Sequence, residues 1–156
     1  GGVATGALPS DAVIEPSGRY LFVVNSGDDS VSTYELAPTT GVPSLLSSVA
    51  AGDRPTMLAL DGTGTRLYVN ETSASEVELF DVSLSTGALT RVESARTRLE
   101  PLFLTLVPSN TPARPRLRNA YVANSLSNDI SMLEPQAGTG QLSKVSPDLP
   151  SGNALS

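Results

Sequence analysis

The chain has no histidine, no cysteine and no tryptophan among its 156 residues. Without histidine there is no Ser-His-Asp or Cys-His nucleophile, no His-ligated zinc and no imidazole pH switch. Without cysteine there are no disulfides and no thiolate metal ligands. Neither Met57 nor Met132 lies in a haem-attachment motif, so no cofactor and no metal is expected. Positive charge is scarce as well: ten Lys and Arg stand against sixteen Asp and Glu, the net charge is -6, and Lys144 is the single lysine. Such a chain has no surplus of cations with which to displace counterions from phosphates, so nucleic acid is not an expected partner. No run approaches the ~18 apolar residues of a membrane-crossing helix.

What the chain does have is turn-forming residues, with 13 Gly and 12 Pro, together with 39% hydrophobic residues. These dominate a length suited to one domain with a buried core. They also repeat. Pro9, Pro55 and Pro101 are spaced 46 residues apart, and Gly18/Gly64, Leu21/Leu67, Val31/Val77, Tyr34/Phe80 and Gly41/Gly87 keep the same interval. A third copy follows after a delay of seven residues, which falls within Pro108 to Arg118. Asn25/Asn124, Val31/Ile130 and Gly41/Gly140 are each 99 apart.

Within each copy, short runs of Val, Leu, Tyr, Phe and Thr alternate with Gly, Pro, Asn, Asp and Ser clusters, and no 3.6-residue apolar stripe is sustained. The expected strands of the first copy are Ala12 to Glu15, Tyr20 to Asn25, Ser30 to Leu36 and Ser44 to Ala50. Those of the second are Met57 to Leu60, Arg66 to Asn70, Glu76 to Val82 and Leu89 to Glu93. Those of the third are Leu102 to Val107, Asn119 to Asn124, Asp129 to Leu133 and Gln141 to Val145. Gly62-Thr63-Gly64 lacks the Lys-Ser/Thr and helix of a phosphate loop and reads as a turn. A four-stranded antiparallel unit of this length in tandem is a propeller blade. The expected fold is therefore all-β, a single partial propeller domain over 1–156 with blades near 6–52, 53–97 and 98–152. Closed propellers have about 4–8 blades. The expected partners are accordingly the remaining blades of a longer chain, or further subunits that complete a ring.

The residues Pro16-Ser17-Gly18-Arg19-Tyr20-Leu21-Phe22-Val23-Val24-Asn25, followed by Val31-Ser32-Thr33-Tyr34 and Thr40-Gly41, resemble the YVTN-type repeat. Gly64-Thr65-Arg66-Leu67-Tyr68-Val69-Asn70 and Ala120-Tyr121-Val122-Ala123-Asn124-Ser125 carry the same pattern in the later copies. The chain thereby resembles the seven-bladed lactonase-like propellers, a group that includes 6-phosphogluconolactonase-type proteins and secreted or surface-layer repeat proteins. The resemblance implies a fold more than a chemistry, because these residues build blades. It transfers no catalytic residue.

In a propeller the loops entering the innermost strand share one face with the loops joining the second strand to the third. On that face the candidate ligand-binding residues are Asp53, Arg54, Arg98 and Glu100 from the first set, and Asp28, Asp29 and Glu71 from the second. Arginine offers a planar fork to a carboxylate or phosphate, which favours Arg54 and Arg98. Asn25, Asn70 and Asn124 recur at the ends of second strands, where each side chain is expected to bond the backbone of its own hairpin loop. Asn70-Glu71-Thr72 matches a glycosylation sequon, read as incidental. The inserted stretch carries Arg114, Arg116 and Arg118 without an acid. It is read as a docking arm for an acidic protein partner or as a tolerated insertion. The leading functional expectation is a binding or structural propeller working outside the cytoplasm, secreted, periplasmic or at the cell surface. A lactonase-like hydrolase acting on a sugar lactone is the alternative, and a redox-associated propeller the third reading.

Overall fold

Glycine and proline punctuate the chain into strands too short to fold alone, and the molecule answers by stacking three sheets. The structure, a computed structural model, describes residues 2–107, 119–136, 139, 141–145 and 149–150. The first sheet consists of β1 (Pro9–Ile14), β2 (Tyr20–Asn25), β3 (Ser30–Leu36) and β4 (Pro43–Ala50) in that order. The second consists of β5 (Pro55–Leu60), β6 (Arg66–Glu71), β7 (Glu76–Val82) and β8 (Leu89–Arg96). The third consists of β9 (Pro101–Val107), β10 (Asn119–Asn124), β11 (Asp129–Pro135) and β12 (Leu142–Lys144). Every pairing is antiparallel, and the short β13 (Leu149–Pro150) adds to β11 beyond the end of β12. The all-β, three-bladed expectation holds.

The strand positions agree with the sequence reading, with informative differences at the ends. The first strand of each blade begins at the proline, three residues earlier than expected in β1. There a register shift between Pro9 and Asp11, repeated between Pro55 and Met57, lets the proline sit in the sheet without an amide to donate. β6 runs one residue further, to Glu71. β8 extends to Arg96, and β12 is shorter than expected.

The core lies between blades rather than within them. Tyr20, Phe22, Val24 and Val31 of the first sheet pack against Leu58, Leu67, Val69, Phe80, Val82 and Leu89 of the second. The other face of the second sheet supplies Tyr68, Val77, Leu79 and Ala95 to a matching cluster with Leu104, Ala120, Val122, Leu133 and Leu142 of the third. Middle strands are therefore buried on both faces, which is why β2 and β6 read as nearly continuous apolar runs. At about 25 cal/mol per Å² of apolar area, these two joints carry most of the stabilisation, and neither exists without its neighbour.

The innermost strands are tied by one repeated contact. Asp11 Oδ2 accepts from the Leu58 amide at 2.8 Å, and 46 residues later Met57 Sδ stands 3.2 Å from the Leu104 amide. Phe103 occupies the same place on β9 and is 66% exposed.

Candidate functional site

The antiparallel order brings two kinds of loop to one end of the molecule: the β2–β3, β6–β7 and β10–β11 hairpin loops, and the crossing loops 51–54 and 97–100. All seven ligand-binding residues expected from the sequence lie there. Most of them are engaged with the chain itself. Asp28 Oδ2 accepts from the Ala7 amide at 2.6 Å, and Asp29 Oδ1 accepts from the Arg54 amide at 2.9 Å. Glu100 Oε2 accepts from the Ser125 hydroxyl at 3.0 Å, while its carbonyl accepts the Ser125 amide. Arg98 pairs through Nε with Asp129 Oδ2 at 2.8 Å. Asp53 and Arg54 are exposed.

The positions of Arg54 and Glu100 have a backbone cause. Leu8, Arg54 and Glu100, one per blade entry, have φ of 48°, 54° and 50°, in the left-handed region that non-glycine residues rarely occupy. There each carbonyl turns to accept an amide from the neighbouring hairpin loop, from Ser26, Thr72 and Ser125 respectively. The recurrence of acidic and basic residues at these entries is thus partly a recurrence of turn geometry. Of the two charged side chains so placed, Glu100 is taken up by Ser125, whereas Arg54 faces solvent beside Asp53.

Glu71 behaves differently from the rest. It closes β6 and is 1% exposed, as is Glu78 on β7. Both point into the joint between the first two sheets, on the same face as Val69 and Phe80. Glu78 forms an ion pair with Arg91 of β8, and its Oε2 accepts from the Gly52 amide of the crossing loop at 3.1 Å. Gly52 lies so near that a Cβ there would stand 3.1 Å from Glu71 Cδ. Burial first, and the Glu78 charge second, push the Glu71 carboxyl up to about 8. Burial also raises Glu78, with the Arg91 guanidinium working against it.

Sequence reasoning singles out neither Glu78 nor Arg91. The 46-residue interval applied residue by residue does reach Glu78, since it superposes Glu71 on Asn25 and Glu78 on Ser32. The register confirms that superposition: Asn25, Glu71 and Asn124 each end their strand. Asn70 therefore stands one residue out of line with Asn25 and Asn124, and the expectation that it bonds its own hairpin loop is corrected. Asn25 and Asn124 stay within their own hairpins but bond mostly side chains of the third strand and not loop backbone: Asn25 Nδ2 donates to the Ser30 and Ser32 hydroxyls, and Asn124 Nδ2 to the Ser131 hydroxyl and, at 3.4 Å, the Asp129 carbonyl. Asn70, one pleat earlier and facing the opposite way, donates instead to the Pro101 carbonyl of the next blade at 2.7 Å. It is fully buried, which closes the sequon to glycosylation.

At the opposite end, Glu15 and Asp61 are buried beneath the β1–β2 and β5–β6 turns. Glu15 accepts the Ser17, Arg19 and Tyr20 amides at 2.7–3.2 Å. Asp61 accepts the Thr65 and Arg66 amides at 2.9 and 3.3 Å. Gly64, at φ 70°, closes the second of these as a plain turn. Arg114, Arg116 and Arg118 lie outside the described residues. Among the described residues no group of three or more Asp and Glu is placed to hold a metal ion, Asp28-Asp29 included.

The sequence model of the family described as "Lactonase, 7-bladed beta-propeller" matches residues 2–105. No curated protein matches the chain. Among solved structures it is similar to a Bacteroides fragilis protein provisionally assigned as a 6-phosphogluconolactonase, at 24% identity and TM-score 0.81, covering 95% of this chain and 40% of that one. A Lactobacillus plantarum protein aligns at 20% identity and TM-score 0.80, over 96% of this chain and 45% of that one. The periplasmic gluconolactonase of Pseudomonas aeruginosa aligns at 21% and 0.74, over 92% and 40%. At these identities the solved structures speak to the fold, and the chain spans less than half the length of each.

Proposed function

The chain belongs to the seven-bladed β-propeller lactonase family, and from that premise we propose that it supplies three blades of an enzyme that hydrolyses a sugar lactone. What carries the reading is the family match over residues 2–105, joined to the placing of Asp53, Arg54 and Arg98 at one end of the molecule. Names among the structural neighbours, 6-phosphogluconolactonase and gluconolactonase, support the same substrate class.

Lactone hydrolysis adds water to the ring ester. The water oxygen bonds to the carbonyl carbon, the ring C–O bond breaks, and the released hydroxyl takes a proton to leave a hydroxy acid. A carboxylate at neutral pH accepts the water proton, and a guanidinium stabilises the developing oxyanion or grips a phosphate on the substrate. Asp53 and Arg54 offer that pair side by side at the head of β5, an innermost strand, with the Arg54 backbone held by Asp29 and Thr72. Arg98, already paired with Asp129, is the secondary anion contact. Phe103 and Leu102, exposed on β9, offer the surface on which a further blade packs.

The test is base titration during hydrolysis of gluconolactone and 6-phosphogluconolactone by the whole protein. Hydrolysis well above the spontaneous rate is expected, with Arg54→Gln lowering kcat/KM at least about tenfold, the worth of one charged hydrogen bond. No acceleration on either lactone sinks the enzyme reading, and affinity for gluconate without turnover would restore the binding module. Work outside the cytoplasm is a companion proposal, supported by the single lysine and by the periplasmic neighbour.

A further inference from the structure

In the first and third blades the position at the end of the second strand is filled by an uncharged asparagine bonded to a serine, each asparagine leaving its own Oδ1 without a partner. Asn25 donates to Ser32 at 2.9 Å, and Asn124 donates to Ser131 at 3.0 Å. The second blade places Glu71 and Glu78 there, two carboxyl groups sealed from water. No hydrogen bond satisfies either Glu71 oxygen in its ionised form. One cation is present, Arg91, and it is committed to Glu78. Two ionised groups would leave one buried charge without compensation, a cost of several kcal/mol.

We propose that Glu71 and Glu78 form a proton-holding clasp across the joint between the first two sheets. Glu71 is retained as the neutral acid and donates to Glu78. Glu78, anchored by Arg91, holds the Gly52 amide and with it the crossing loop that presents Asp53 and Arg54. The other charged groups facing the pair are Glu76 on β7 and Asp29 on the β2–β3 loop. Glu76 is itself met by Arg96 at 3.9 Å, and both acids oppose a second negative charge at the site. A proton rather than a metal ion is favoured because one positive charge is already in place and the described residues form no three-carboxylate cage. The clasp belongs to the joint and stands whether or not the protein acts on lactones.

The sign of the pH dependence follows. An ordinary glutamate ionises near 4.5, whereas Glu71 keeps its proton to about 8. Between those values the folded chain binds the extra proton, so stability is greatest below the window, falls as pH rises through it, and levels off above. Burial shifts Glu78 the same way, but Arg91 works against that shift and in the clasp Glu78 is the ionised partner, so one proton sets the slope. Glu15 and Asp129 are shifted down and act at lower pH, outside the window.

The experiment is urea unfolding of the protein at unit steps from pH 5 to pH 9. In the wild type the folding equilibrium constant is expected to fall by up to about tenfold per pH unit between pH 5 and 8. Glu71→Gln, which keeps a donor for Glu78, is expected to flatten that slope and to exceed the wild type at pH 8. Should it not fold, Glu71→Asn with Glu78→Ser, which copies the first blade, serves the same purpose. A flat wild-type profile, or an unchanged slope in the variant that folds, overturns the clasp. Added K+ or Ca2+ that restores the wild type at pH 9 but leaves Glu71→Gln unaffected would assign the pair to a metal ion and overturn it equally.

Discussion

The first and second blades share a backbone plan but deploy charge differently. At the top of the first, Asn25 Nδ2 donates to Ser32 and the pair carries no charge, although Asn25 Oδ1 has no partner. At the top of the second, Glu71 and Glu78 require a guanidinium, a backbone amide and a proton. The first blade lacks the partner cation, because the register place of Arg91, opposite Phe80, is taken there by Leu45, opposite Tyr34, while the third blade has Lys144 at that place, opposite Leu133. At the turn end the two blades agree, with Glu15 and Asp61 both buried beneath their turns. Buried polarity in this repeat thus has two origins. Where it recurs it serves the blade, and where it appears once it serves one joint.

The sharpest way to break the comparison is to move the acid pair without its cation. Asn25→Glu combined with Ser32→Glu would bury two carboxyls with no Arg91 counterpart. The expected loss is roughly 3–5 kcal/mol at pH 8, the cost of uncompensated buried charge. Denaturant titration should show the deficit shrinking at pH 5, where protons neutralise the pair. An equal deficit at both values would mean that the fault is steric.

Next in size are the turn acids. Glu15→Ala strands three backbone amides, and Asp61→Ala strands two amides and the Thr63 hydroxyl. Each should cost about 2–3 kcal/mol, the range for hydrogen bonds to a charged group. For Glu15 burial works to raise the carboxyl, but its hydrogen bonds to Ser17, Arg19 and Tyr20 win and hold it below the ordinary glutamate range. Its contribution is therefore present above that range and lost as pH falls through the folded value. A Glu15→Ala protein whose stability deficit against the wild type does not narrow in acid would refute this account. The same register place in the third blade is Val107, which carries no acid.

How much of this is legible without coordinates follows from the same residues. The 46-residue interval exposes the blades, because glycine and proline are needed at fixed backbone places and so mark the period in any composition. The strand ends are less legible, since Pro9 and Pro55 suggest breaks where a register shift admits them. The residues named for the candidate rim do fall at one end of the molecule, yet the most unusual of them is hidden. Glu71 reads as one more loop charge, because matching by residue type draws Asn70 into line with Asn25. Burial is a property of the facing sheet, and nothing local to Glu71 or Glu78 announces that Gly52 will lie across them.

The asparagines sharpen the distinction at a smaller scale. Asn25→Ala and Asn124→Ala should each cost about 1–2 kcal/mol by leaving buried hydroxyls unsatisfied within their hairpins. Asn70→Ala should cost less, about 1 kcal/mol, because Thr72 Oγ1 still donates to the Pro101 carbonyl it abandons. Melting midpoints that fall further for Asn70 than for the other two would mean that the inter-blade bond outweighs the hairpin bonds.

The smallest effect belongs to Arg98, whose guanidinium is half exposed against a largely buried Asp129. Removing it leaves Asp129 with the Ser127 hydroxyl and the Asn124 amide, both at 2.8 Å. Both of these bonds fall on Oδ1 and only Oδ2 loses its partner, so Arg98→Ala should cost about 1 kcal/mol. That small cost makes it the cleanest probe of the rim. If lactone KM rises while the unfolding midpoint barely moves, the arginine acts on the ligand. If stability drops by well over that amount and KM changes only in proportion, Arg98 belongs with the structural charges, and Arg54 is left as the anion contact to pursue.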